Sequence, residues 1–196
     1  AGYSTALSAD GNVVAVGASG YDYPVNNNNA GRVQVFEYSG NWVQRGLDLS
    51  GGEAGAQAGT STALSADGNV VAVGATDYDY TNNYGAGRVQ VFEYSGGSWT
   101  LKGGPDDLSG GQAYAYAGYS TALSEDGNVV AVGARGYDYS NNNGAGRVQV
   151  FDYSGGSWIL KGGPDDLSGG QAYASAGFST ALSADGNVVA VGAYGY

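Results

Sequence analysis

The segment Ser4-Thr-Ala-Leu-Ser-Ala-Asp-Gly-Asn-Val-Val-Ala-Val-Gly-Ala18 returns from Ser61, from Ser120 (with Glu125 for the second Ala) and from Ser179. Self-similarity at this spacing constrains the fold more than composition does. A unit this short cannot bury its own apolar face and has to stack on its neighbours. The repeats divide the chain into units 1–57, 58–116 and 117–175, followed by a partial unit, 176–196. The second and third units are nearly identical.

Within a unit the pattern is that of short strands. Ser4 to Ser8 and Asn12 to Ala18 flank an Ala-Asp-Gly turn, the signature of a hairpin. A third strand is expected over Gly31 to Tyr38. A fourth is expected around Trp99 to Lys102 and Trp158 to Lys161, each after a Ser-Gly-Gly-Ser turn. No 3.6-residue periodicity is present, which excludes helical repeats of similar length. Strand alternation sends Val13, Ala15 and Gly17 to one face and Val14, Val16 and Ala18 to the other. Both faces are apolar, so the sheets should stack face to face through this strand. The strand carrying Arg32, Gln34 and Glu37 is more amphipathic and should lie further out. Trp42, Trp99 and Trp158, one per unit, are expected to pack.

These observations predict an all-β chain of tandem four-stranded antiparallel blades, propeller-like, open and assembling into a filament. A propeller typically needs 4–8 blades, so three units and a fragment are not expected to close as a monomeric ring. Open blade faces and strand edges invite head-to-tail association with other copies.

The pattern Ala-Gly-aromatic-Ser-x-Ala-Leu-Ser-x-Asp-Gly-Asn-Val-Val-Ala-Val-Gly-Ala, an Asp/Asn loop and then Gly-Ala-Gly-Arg-Val-Gln-Val-Phe resembles the FG-GAP repeats of integrin-α-type β-propellers. It covers essentially the whole chain. The resemblance implies blades and an adhesive or carbohydrate-binding role. Two features depart from the pattern. Ala1, Ala58, Ala117 and Ala176 replace its phenylalanine, and Ser19, Thr76, Arg135 or Tyr194 replaces the proline after Gly-Ala. The family's calcium loops also carry spaced carboxylates around Asp-Gly. Here only Asp10, Asp67, Asp126 and Asp185 remain at that turn.

Composition narrows the function. The chain has no His or Cys, and its acids show no setting that would split a pair of pKa values, so the usual catalytic parts are missing. The adjacent acids Asp106-Asp107 and Asp165-Asp166, each following a proline, are expected to be turn formers. A net charge of −11 disfavours nucleic acid and anionic lipid. Apolar runs such as Val13 to Val16 are too short to span a bilayer. The chain opens inside a repeat without a basic leader, so any targeting segment is expected to lie outside it. No Asn-x-Ser/Thr sequon occurs.

Two sets of residues remain as candidate sites. Asp22, Asp79 and Asp138 sit in loops with Asn26 to Asn29, Asn82-Asn83 and Asn141 to Asn143, where carboxylate and amide oxygens together can ligate calcium. The competing explanation is that Asn and Gly serve left-handed turn geometry. It is favoured because calcium usually takes more carboxylates than these loops hold. Tyr21 and Tyr23, Tyr78 and Tyr80, and Tyr137 and Tyr139 flank those acids and would project together from an extended loop. They form either a surface for a partner chain or sugar, or a cover for loop edges. Loops that repeat with little drift suit a multivalent surface better than a single ligand site. The expected function is therefore a non-enzymatic structural protein, extracellular or at the cell surface, that self-associates as a homopolymer. The alternative is an integrin-like adhesion or carbohydrate-binding propeller.

Overall fold

In the first unit, β1 (Ser4–Leu7), β2 (Val13–Ala18), β3 (Arg32–Tyr38) and β4 (Trp42–Gln44) hydrogen-bond in chain order as an antiparallel sheet. The second unit repeats it with β6 (Ala58–Leu64), β7 (Val70–Ala75), β8 (Arg88–Ser95) and β9 (Ser98–Leu101), and the third with β11 (Ala117–Leu123), β12 (Val129–Ala134), β13 (Arg147–Ser154) and β14 (Ser157–Leu160). A final hairpin pairs β16 (Ser179–Leu182) with β17 (Val189–Gly192). The computed structural model describes residues 1–23, 28–104, 108–139, 141–162 and 167–195. Among these there is no helix, and no sheet closes into a barrel.

The fourth strand of each blade is split, which the sequence pattern does not show. Short strands β5 (Leu49–Ser50), β10 (Leu108–Ser109) and β15 (Leu167–Ser168) pair with the start of β3, β8 and β13, while β4, β9 and β14 pair with their far ends.

The turn that closes each hairpin is made by its own side chains. In the second unit the Ser65 hydroxyl donates to Asp67 Oδ1 at 2.6 Å and accepts from the Val70 amide. Asn69 donates its backbone and side-chain N–H groups to the same carboxylate. The arrangement recurs at Asp10, Asp126 and Asp185. Satisfying these groups locally fixes the register that sends alternate valines to opposite faces.

Stacking uses both faces, as the alternation requires. One apolar cluster joins Val13, Ala15, Val33 and Val35 of the first unit to Val71, Val73 and Ala75 of the second. Another joins Val70, Ala72, Val89 and Val91 to Val130, Val132 and Ala134. Each unit thus offers one parity of its central strand forward and the other backward, and every residue of β7 and β12 is buried.

Polar contacts repeat at each junction. Ser4, Ser61 and Ser120 donate their hydroxyls to the carbonyls of Gly59, Gly118 and Gly177 at 2.7–2.8 Å. The Ala9 amide donates to Ala66, Ala66 to Glu125 and Glu125 to Ala184, each at 2.8 Å. The Trp99 and Trp158 indoles donate to the Arg45 and Lys102 carbonyls of the preceding unit at 2.7 Å. Trp42 instead is half exposed and lies against Tyr38.

The arginine that opens the third strand is buried at Arg88 and Arg147. Each lies 3.7 Å over a tyrosine ring, Tyr78 or Tyr137, and donates to a carbonyl, Gly51 or Gly110, of the preceding unit. A guanidinium can be buried when an aromatic face and an acceptor replace its water.

Candidate functional site

The loop after the second strand of each unit carries the Tyr-Asp-Tyr triplet. Within each triplet the two rings meet edge to face at 5.0 Å, so they do project together. All six tyrosines are half-buried. Tyr21, Tyr78 and Tyr137 each receive a guanidinium, from Arg32, Arg88 and Arg147, at 3.7 Å. Tyr78 and Tyr137 also pack on the apolar clusters between blades. One face of Tyr21, Tyr78 and Tyr137 is therefore committed to packing inside the chain. Burial raises the pKa of the Tyr23 phenol. Other tyrosines outside the strands are far more exposed, among them Tyr84, Tyr114 and Tyr173. Tyr114 and Tyr173 have φ of 59° and 61°, a left-handed conformation that side chains rarely adopt.

The three candidate calcium ligands stay in separate loops. Asp22 accepts the Asn29 amide at 2.7 Å, Asp79 the Gly85 amide at 2.6 Å and Asp138 the Gly144 amide at 2.5 Å. Each carboxylate thus ties its own loop shut, an Asp role that needs no metal. Among the described residues no three acids come together as a metal-binding group. At the Asp-Gly turns the carboxylate oxygens are taken by Ser and Asn donors, and that donor set does not fit a calcium cage. Asn26 and Asn27, like Asp106, Asp107, Asp165 and Asp166, lie outside the described residues.

The turn carboxylates are held in their charged form. At Asp10, Asp126 and Asp185 the Ser hydroxyl two residues earlier is the main cause of a lowered pKa, which reaches about 2 at Asp185. At Asp67 burial pushes the pKa up, but the Ser65 and Asn69 hydrogen bonds outweigh it.

One group of residues escaped the sequence reading. Arg135 reaches over two rings, 4.4 Å from the Tyr119 centroid and 5.2 Å from that of Tyr116. It also lies within electrostatic reach of Asp77 in the preceding unit. The signal that locates this group is the set of positions at which the second and third units differ, rather than the positions they share. Among the described residues no helix is long and apolar enough to cross a membrane. No protein-family model matches the chain, and no curated protein matches its sequence.

Proposed function

We propose that this protein is a non-enzymatic structural repeat protein, extracellular or displayed at a cell surface, which assembles with copies of itself into a fibre or layer. The observation that carries this reading is the sameness of the junctions. The serine-to-glycine and turn-to-turn hydrogen bonds recur at all three, with distances that agree within 0.1 Å. Each junction is also directional: serine hydroxyls and turn amides donate forward to the next unit, whereas the Trp99 and Trp158 indoles and the Arg88 and Arg147 guanidinia donate back to the preceding one. Directional, identical contacts are heterologous contacts, and these propagate as a filament when the rotation between units does not close a ring. The repeated antiparallel blade also supports kinship with FG-GAP repeats, of which we read this chain as a divergent form.

Sedimentation and negative-stain microscopy test the proposal. Head-to-tail polymers that lengthen with protein concentration are the expected result. A compact monomer at every concentration would refute it.

A further inference from the structure

The units 58–116 and 117–175 differ at nine positions. Four of these pairs, Thr60/Tyr119, Thr76/Arg135, Asp77/Gly136 and Tyr116/Ser175, contribute Thr60, Thr76, Asp77, Tyr116, Tyr119 and Arg135 to one patch beside the junction of the two units. There the Arg135 guanidinium leans on Tyr116 and Tyr119, and the Tyr114 carbonyl and the Tyr116 ring together fill the space that a side chain at Gly136 would need. The Thr60 and Thr76 hydroxyls lie 3.4 Å apart, and Thr76 donates to Asp77 Oδ2 at 3.2 Å. The patch continues as a row of rings, with Tyr119 at 5.2 Å from Phe178 and Phe178 at 5.0 Å from Tyr194. Tyr194 is largely exposed.

Arg135 is also the exception among the bases. Arg32, Arg45, Arg88, Arg147, Lys102 and Lys161 each reach an acceptor within the chain. Among the described residues, Arg135 alone donates no hydrogen bond and forms no ion pair, although it is only half-buried. Asp77 is similar: among the described residues its side chain accepts from the neighbouring Thr76 hydroxyl alone. A guanidinium and a carboxylate within electrostatic reach of each other yet not bonded leave both donors and acceptors for a ligand.

We propose that this patch binds a neutral oligosaccharide. Asp77 accepts hydrogen bonds from sugar hydroxyls and Arg135 donates to them, while Phe178 and Tyr194 cover the apolar C–H face of a neighbouring sugar ring. A hydroxyl group needs an acceptor and a donor at once, and the Asp77–Arg135 pair supplies both. A polyanion would meet Asp77 and a chain of net charge −11. A cationic peptide would meet Arg135. The site is independent of the assembly proposed above, since all of its residues lie within one chain, across its last two junctions.

The repeat itself supplies the test substitutions. Arg135→Thr and Asp77→Gly each install the residue that a neighbouring unit already carries at that position, so the fold accommodates them. Glu125→Ala does the same away from the patch. The full chain is titrated calorimetrically with hexasaccharides of β-1,4-linked glucose, mannose and N-acetylglucosamine, and with oligogalacturonate. At least one neutral hexasaccharide is expected to bind. Both Arg135→Thr and Asp77→Gly should weaken it about tenfold or more, and Glu125→Ala should leave it unchanged. The two patch substitutions shift net charge in opposite directions, so a field effect would move affinity in opposite directions. That outcome, no binding of any neutral probe, undiminished binding in both variants, or preference for oligogalacturonate would each overturn the proposal.

Discussion

Gly118 presents its carbonyl oxygen so close to Gly74 that a methyl group on Gly74 would stand 2.2 Å from it. The same approach links Gly17 to Gly59 and Gly133 to Gly177. Adjacent blades therefore touch backbone to backbone, and the Ser61 hydroxyl reaches the Gly118 carbonyl at the same point. Gly74→Ala should destabilise the protein by about 3 kcal/mol, because the Gly118 backbone cannot yield to the added methyl and the Ser61 hydroxyl would lose its place. Gly97→Ala is the comparison: nothing lies within 4 Å of the added group, but φ is +90°. It should cost about 1 to 2 kcal/mol from conformation alone. Urea unfolding measures both, and equal losses would deny the close contact its role.

The indole of Trp158 bonds the Lys102 carbonyl across a junction, whereas Trp42 is half exposed. Trp158→Phe keeps an aromatic ring but leaves that carbonyl without its donor, at a cost of about 1 to 2 kcal/mol. Trp42→Phe should change stability by less than about 0.5 kcal/mol. Thermal melts of the two variants separate these outcomes.

Acid should unfold the array through its turns. The folded state holds Asp10, Asp67, Asp126 and Asp185 below the ordinary value of 3.8, down to about 2 at Asp185. A carboxyl with a depressed folded pKa contributes stability above its unfolded pKa and loses it as pH falls through the folded one. Stability should therefore hold down to about pH 4 and erode below it. Asp77 works in the opposite sense. Burial raises its pKa despite the Thr76 hydrogen bond and the charge of Arg135, so the stability linked to its protonation is lost as pH rises past 3.8. Asp67→Asn should flatten the acid limb of a pH–stability profile, and Asp77→Asn should leave that limb in place.

Calcium should add little. Asp79 and Asp138 serve as loop acceptors, so Asp79→Ala and Asp138→Ala should each cost about 1 kcal/mol with or without the ion. Calorimetric titration with calcium should show no tight site. Several tight, equivalent sites abolished loop by loop in the two variants would contradict this assignment.

The spacing of the Asp-Gly turns, the two-sided apolar strand and the absence of helical periodicity determined the blade and its strand order. These are local patterns, in which hydrogen-bonding and alternation rules act within a dozen residues, so sequence suffices to find them. The same rules do not reach across a junction. The amphipathic pattern of the third strand does not reveal that Arg88 and Arg147 are buried, because the compensating rings and carbonyls come from other segments of the chain. The Tyr-Asp-Tyr triplets were visible as candidates. Their division into packing rings and loop-closing acids depended on arginines and amides that the fold brings to them. Asp77, Tyr116, Tyr119 and Arg135 gave no motif at all. Only the stacking of one unit on the next, fixed by backbone contact at paired glycines, places these exceptions to the repeat side by side.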